Sequence, residues 1–215
     1  MSRSFLFVPA DSERKMEKAG GVGADALILD LEDSVAPDAR PAARQLAAEY
    51  LKGRDNVWVR VNPVDTEDFE ADIEAVMASQ PAGIMLPKPR HARDAVKLSE
   101  RIDVLENHHG IDHGQTRIIA LCTEHPEALL TLHSYVGMVP RLAGLSWGAE
   151  DLSAAVGAAT NRSTKGEWLP PYEMARSMCL FAAAAAEVAA IDTVFTDFRD
   201  DEGLLRYAAN ARRDG

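Results

Sequence analysis

Residues 142–152 read Leu-Ala-Gly-Leu-Ser-Trp-Gly-Ala-Glu-Asp-Leu, and this stretch decides the fold. A short apolar run with small residues reads as a buried strand. It stops at two adjacent acids, Glu150 and Asp151, where a helical pattern takes over. Burying negative charge at a strand end gains nothing unless a cation or hydrogen-bond donors offset its desolvation, so such an end marks a candidate site. The same grammar recurs at residues 26–33, Ala-Leu-Ile-Leu-Asp-Leu-Glu-Asp, and at residues 118–124, Ile-Ile-Ala-Leu-Cys-Thr-Glu.

Working outward from these runs, the apolar patterning predicts strands at residues 4–8, 24–31, 56–62, 83–86, 118–123, 142–147 and 191–195. Helical patterns fall between them. The first carries Arg14, Lys15, Met16 and Lys18; others span residues 37–51, the stretch opened by Thr66 and Glu67, and residues 92–105, 126–135, 172–190 and 202–212. Strands alternating with helices imply parallel pairing with right-handed crossovers. Seven such units in 215 residues predict a single domain over residues 1–215 with an α/β fold, a (β/α)8 TIM-type barrel. Only seven strands are visible, so the eighth strand and a C-terminal region are expected to be missing. An open doubly wound sheet fits less well, because no GxGxxG turn or P-loop follows any strand.

Composition narrows the function. A net charge of −11 argues against a general nucleic-acid binder, which needs an excess of Lys and Arg. No signal-peptide h-region opens the chain and no apolar run approaches membrane-spanning length, so a cytoplasmic protein without a membrane partner is expected. Cys122 and Cys179 each sit in an apolar run without CxxC spacing and read as reduced, buried thiols.

Carboxyl ends of barrel strands converge on one face. Collecting them gives Asp30, Glu32 and Asp33; Arg60 and Asn62; Lys88; Glu124; Glu150 and Asp151; and Asp197. Acids with one Arg and one Lys, on elements far apart in sequence, suit a hard divalent cation and an anionic substrate. Each also has a blander reading. Asp33, Glu124 or Asp151 alone is as well explained as a helix N-cap, and Arg60 as a buried partner of Glu32. His108, His109 and His113 read as part of a solvated polar loop rather than a metal site.

Several motifs, in order, resemble the citrate lyase beta-subunit-like family, which includes malyl-CoA and citramalyl-CoA lyases and belongs to the phosphoenolpyruvate/pyruvate-binding barrel superfamily. They are Phe5-Leu-Phe-Val-Pro-Ala-Asp, Leu29-Asp-Leu-Glu-Asp-Ser-Val-Ala-Pro, Val59-Arg-Val-Asn, Met85-Leu-Pro-Lys, Thr123-Glu, Trp147-Gly-Ala-Glu-Asp-Leu and Ala190-Ile-Asp-Thr-Val-Phe-Thr-Asp-Phe-Arg-Asp. The resemblance implies that Glu124 and Asp151 bind Mg2+, that Arg60 grips the substrate, and that Glu32 and Asp33 lie near the metal's water shell. It also implies that Arg14 and Lys18 approach the phosphates of coenzyme A; Lys88 is assigned to substrate from its strand-end position. Family members continue past the position of Gly215 with a segment that supplies a catalytic acid and part of the coenzyme A site.

The implied activity is magnesium-dependent cleavage of a carbon–carbon bond in a 3-hydroxyacyl-CoA-type thioester (citryl-, malyl- or citramalyl-CoA), giving an acyl-CoA and a 2-keto acid such as oxaloacetate, by a homo-oligomer. Two alternatives stand beside it: an aldolase acting on free 4-hydroxy-2-keto acids, and a non-catalytic subunit or regulatory protein that keeps the barrel.

Overall fold

The computed structural model describes residues 2–215. Seven parallel strands form one curled sheet in sequential order: β1 (Phe5–Pro9), β2 (Ala26–Asp30), β3 (Val57–Arg60), β4 (Gly83–Leu86), β5 (Arg117–Leu121), β6 (Leu142–Ser146) and β7 (Ala189–Ile191). Eight helices connect or follow them: α1 (Glu13–Gly20), α2 (Arg40–Leu51), α3 (Glu67–Met77), α4 (Ala92–His109), α5 (Pro126–Leu130), α6 (Ala149–Ala155), α7 (Pro170–Ala185) and α8 (Asp201–Asp214). The result is the wall of a TIM-type barrel, with β1 and β7 as its edges among the described residues. No helix among the described residues is long and apolar enough to cross a membrane.

The central strands read as continuous apolar runs because both of their faces are covered. Alternate residues of β2 illustrate the division: Leu27 and Leu29 join the large core between sheet and helices, whereas Ala26 and Ile28 join Trp58, Met85, Ile119 and Leu121 on the concave face. A Cβ on Gly83 would come within 2.2 Å of the Trp58 ring, so this glycine admits the indole. Cys122 and Cys179 are free and buried between β5 and α7.

Several boundaries differ from the expectation. The fourth helix runs to His109 rather than 105, so His108 and His109 stand in its last turn; Gly110, with φ of 66°, ends it in the left-handed conformation. The expected helix over residues 126–135 is a short α-helix followed by a 3-10 turn, Leu132–Tyr135. The expected helix at residues 172–190 is Pro170–Ala185, and the last strand is Ala189–Ile191 rather than residues 191–195. Alanine fills both sides of that junction, so apolarity alone does not mark it. The break is instead made by Glu187 in the left-handed conformation (φ 55°), after which Val188 N–H returns to the Ala183 carbonyl.

Candidate active site

The carboxyl edge of the sheet brings together most of the residues that the sequence singled out. The first pair comes from neighbouring strand ends. Asp30 and Arg60 are register partners in β2 and β3, and Arg60 Nε and Nη2 each donate to one Asp30 oxygen at 2.7 Å. Burial opposes ionisation of Asp30, but the Arg60 bonds win and hold its carboxyl below the ordinary range. Burial likewise works against the Arg60 charge, and its acidic neighbours more than restore it. The guanidinium also stands 5.0 Å from the centre of the Phe7 ring. Its third nitrogen, Nη1, faces inward, 3.1 Å from Glu32 Oε2 and 3.8 Å from Asp33 Oδ2.

Lys88 enters from the end of β4. It occupies the left-handed region, with φ of 51°, which turns its backbone and side chain to different acids. Its N–H donates to Glu124 Oε2 at 2.5 Å, while Nζ reaches Glu32 at 2.5 Å, Asp33 at 3.0 Å and Asp151 at 3.4 Å. Glu124 itself is 2 % exposed. Burial, reinforced by the negative charges of Asp151 and Glu32 and only partly offset by the Lys88 N–H, pushes its carboxyl up to about 8. Glu32 is also raised, chiefly by burial and despite Arg60 and Lys88. Although Arg60 Nη1 is within ion-pair distance, Glu32 Oε2 receives no well-directed hydrogen bond; the angle governs here, so this buried oxygen is under-satisfied.

Glu124 reaches the edge because of a glycine. A Cβ on Gly148 would lie 2.6 Å from Glu124 Cγ, and Gly148 N–H donates to Thr123 Oγ1 at 3.1 Å. Thr123, Glu124 and the turn that starts α6 therefore interlock, and Asp151 sits in the first turn of that helix. Gly148→Ala is expected to displace Glu124 and cost about 1–3 kcal/mol of stability through overpacking. A guanidinium-chloride unfolding midpoint unchanged from wild type would contradict this.

Five carboxyl groups (Asp30, Glu32, Asp33, Glu124 and Asp151) thus share two cations, Arg60 and Lys88. The excess negative charge, the under-satisfied Glu32 oxygen and the raised Glu124 carboxyl fit a divalent cation, which would relieve all three.

The remaining candidates separate from this cluster. Arg14 and Lys18 lie on the exposed face of α1 and form no ion pair among the described residues. Glu150 accepts from Asn161, Asn62 is buried against Asp72, and Asp197 caps an exposed turn at Arg199. At the opposite edge His113 approaches Asp103 and Glu106, a geometry capable of binding metal. Arg141 already occupies the centre of that group, pairing with both acids, so it is an internally neutralised cluster. Reading the sequence alone overlooked two residues. Asp30 is legible as a strand end but not as the Arg60 clamp, and Asp192, where five donors converge, lies inside the stretch that composition assigns to the last strand.

Fold and edge together define a TIM-type barrel protein whose acids collect at the carboxyl ends of its strands. The chain belongs to the HpcH/HpaI aldolase/citrate lyase family, whose profile matches residues 3–215. It is 32% identical over 209 residues to the citrate lyase subunit beta-like protein of Mycobacterium tuberculosis, covering 96% of this chain and 69% of that protein. It is 33% identical over 214 residues to a (3S)-malyl-CoA thioesterase of Cereibacter sphaeroides, covering 98% and 69%. Among solved structures, the citrate lyase beta subunit of M. tuberculosis complexed with oxaloacetate and magnesium superposes with a TM-score of 0.83 at 30% identity, covering 100% of this chain and 88% of that one.

Proposed function

We propose that this protein is a magnesium-dependent carbon–carbon lyase that cleaves a 3-hydroxyacyl-CoA-type thioester to an acyl-CoA and a 2-keto acid. The observation that carries the reading is the convergence on Lys88 of the buried Glu124, through the backbone N–H, and of Asp151, Glu32 and Asp33, through the ammonium, with Arg60 Nη1 beside the last two. Glu124 and Asp151 would hold the ion. Bound there, magnesium supplies Lewis acidity toward the oxygens of the keto acid.

The protein's own groups bind and orient the substrate. Arg60, braced by Asp30, presents Nη1 to the substrate's carboxylate and to its hydroxyl oxygen, which carries negative charge once its proton has left and gives it up as the carbon–carbon bond breaks. Glu32 and Asp33 hold Lys88 in place and orient water at the rim, and Lys88 adds positive charge toward the substrate. Arg14 and Lys18, one helical turn apart on α1, offer a basic face to the phosphates of coenzyme A. The solved relative with oxaloacetate and magnesium supports the keto-acid half of this reading.

Hydrolysis of the thioester is the second reading, favoured by the name of the C. sphaeroides relative. Calorimetric titration of the purified protein with oxaloacetate, with magnesium and then with chelator, tests the shared half: binding is expected only with magnesium. No binding by folded protein would favour a non-catalytic barrel. Incubation with malyl-CoA then separates the two reactions, because cleavage releases glyoxylate and acetyl-CoA whereas hydrolysis releases malate and free thiol. Turnover of free 4-hydroxy-2-keto acids but not thioesters would move the assignment to an aldolase.

A further inference from the structure

One half-buried acid outside the Arg60–Lys88 cluster, Asp192, gathers more donors than any of the proposed site residues. Asp192 immediately follows β7, just as Trp147 follows β6, and the last register pair of these strands is Ser146 with Ile191. The two residues are therefore the next neighbours along the sheet. Asp192 Oδ1 accepts from Trp147 Nε1 at 2.7 Å, from Tyr207 Oη at 3.0 Å and from Thr193 N–H at 2.9 Å. Its Oδ2 accepts from Arg176 Nε at 3.0 Å and Nη2 at 2.9 Å. One carboxylate thereby joins the end of β6 to α7 and α8.

The position of Trp147 gives this hub a consequence for the site. The indole is buried, with Trp168 packed edge-on at 5.0 Å, and the next residue is Gly148. Gly148 is the point against which Glu124 packs, and its N–H is tied to the hydroxyl of Thr123, the residue before Glu124. Rotation or sliding of the indole would carry Gly148 with it, and with Gly148 the placement of Glu124 and the first turn of α6 that bears Asp151. Apolar packing alone does not fix an indole against sliding along its own plane. A directed hydrogen bond at the ring nitrogen does.

We infer that Asp192 is a positioning residue for the metal-binding carboxylates, acting through the Trp147 indole to fix the turn that sets Glu124 and Asp151. The inference rests on the reading of those two acids as the magnesium ligands. Residues that orient a metal ligand typically influence affinity strongly although they do not touch the ion.

The test is calorimetric titration of the full chain with magnesium chloride, without substrate, alongside thermal melts. Asp192→Ala and Trp147→Phe are each expected to weaken magnesium binding about tenfold. The double variant should bind no more weakly than Asp192→Ala alone, since both changes break one connection. Asp192→Asn retains an oxygen for the indole but loses the charge facing Arg176, so it should lower the melting temperature and keep near-normal magnesium affinity. Tyr207→Phe should behave likewise. If the asparagine variant loses affinity as fully as the alanine variant, or if Trp147→Phe binds magnesium normally, Asp192 is only a structural hub and the inference falls. Failure of the wild-type protein to bind magnesium would overturn the metal assignment first, and this inference with it.

Discussion

Glu124→Gln is expected to abolish magnesium-dependent turnover while leaving the fold intact, and to make the metal-free protein more heat-stable. The amide keeps the shape of the side chain, and its oxygen can still accept from Lys88 N–H, so the close fit against Gly148 survives. The negative charge does not. Losing a carboxylate ligand removes several kcal/mol of charge stabilisation in the transition state, a fall in rate of roughly 10³-fold.

The stability effect runs the other way because the folded-state value of Glu124 is raised to about 8 from an ordinary 4.5. A raised carboxyl contributes its stability fully below the unfolded value and loses it as pH climbs through the folded one. The metal-free wild type should therefore melt progressively lower between about pH 5 and pH 8 relative to the variant. Magnesium should restore the wild type most strongly near pH 8, where the carboxyl gives up its proton most easily. Melting curves across that range, with magnesium and with chelator, read both effects. Asp151→Ala should match the loss of turnover without the same stabilisation, because its side chain is 35% exposed. Near-normal rates in either variant would remove the metal assignment.

The architecture is legible because a parallel sheet covered on both faces writes itself as apolar runs, and each run ends where the chain meets the carboxyl edge of the sheet. The first six strands and the convergence of Glu32, Asp33, Arg60, Lys88, Glu124 and Asp151 follow from that rule. What it does not supply is pairing. Arg60 was open to an internal partner or to a substrate, and the structure gives it both kinds of opportunity by binding Asp30 through two nitrogens and turning the third inward. Nor does apolarity place a short strand after an Ala-rich helix. Residues 191–195 are the more β-like by composition, yet pairing stops at Ile191. Asp192 stands there to collect the side chains of Trp147, Arg176 and Tyr207, three partners 15 to 45 residues away. Burial then raises the Tyr207 hydroxyl beside that carboxylate, as no local pattern in the sequence indicates.

Arg60→Lys gives the second large expected effect, and the geometry of the guanidinium is the reason. Nε and Nη2 form a fork onto Asp30, two parallel bonds of 2.7 Å, and this fork is what leaves Nη1 aimed at the space between Glu32 and Asp33. An ammonium is a single point charge. It can sit against Asp30 or reach toward the site, but it cannot brace itself on one acid and present a fixed donor to a substrate at the same time. The buried Asp30 makes the first position the favoured one, since abandoning it would leave that carboxylate without its counter-charge. The lysine would then be drawn back to the strand and away from the substrate. We expect kcat/KM to fall roughly 10²- to 10³-fold, as when a fixed donor to a developing oxyanion is removed, with oxaloacetate binding weakened in calorimetry. The melting temperature should drop only slightly, because the charge at Asp30 is kept. Wild-type kinetics in this variant would show that the fork serves the strand alone and that another group must hold the substrate's carboxylate.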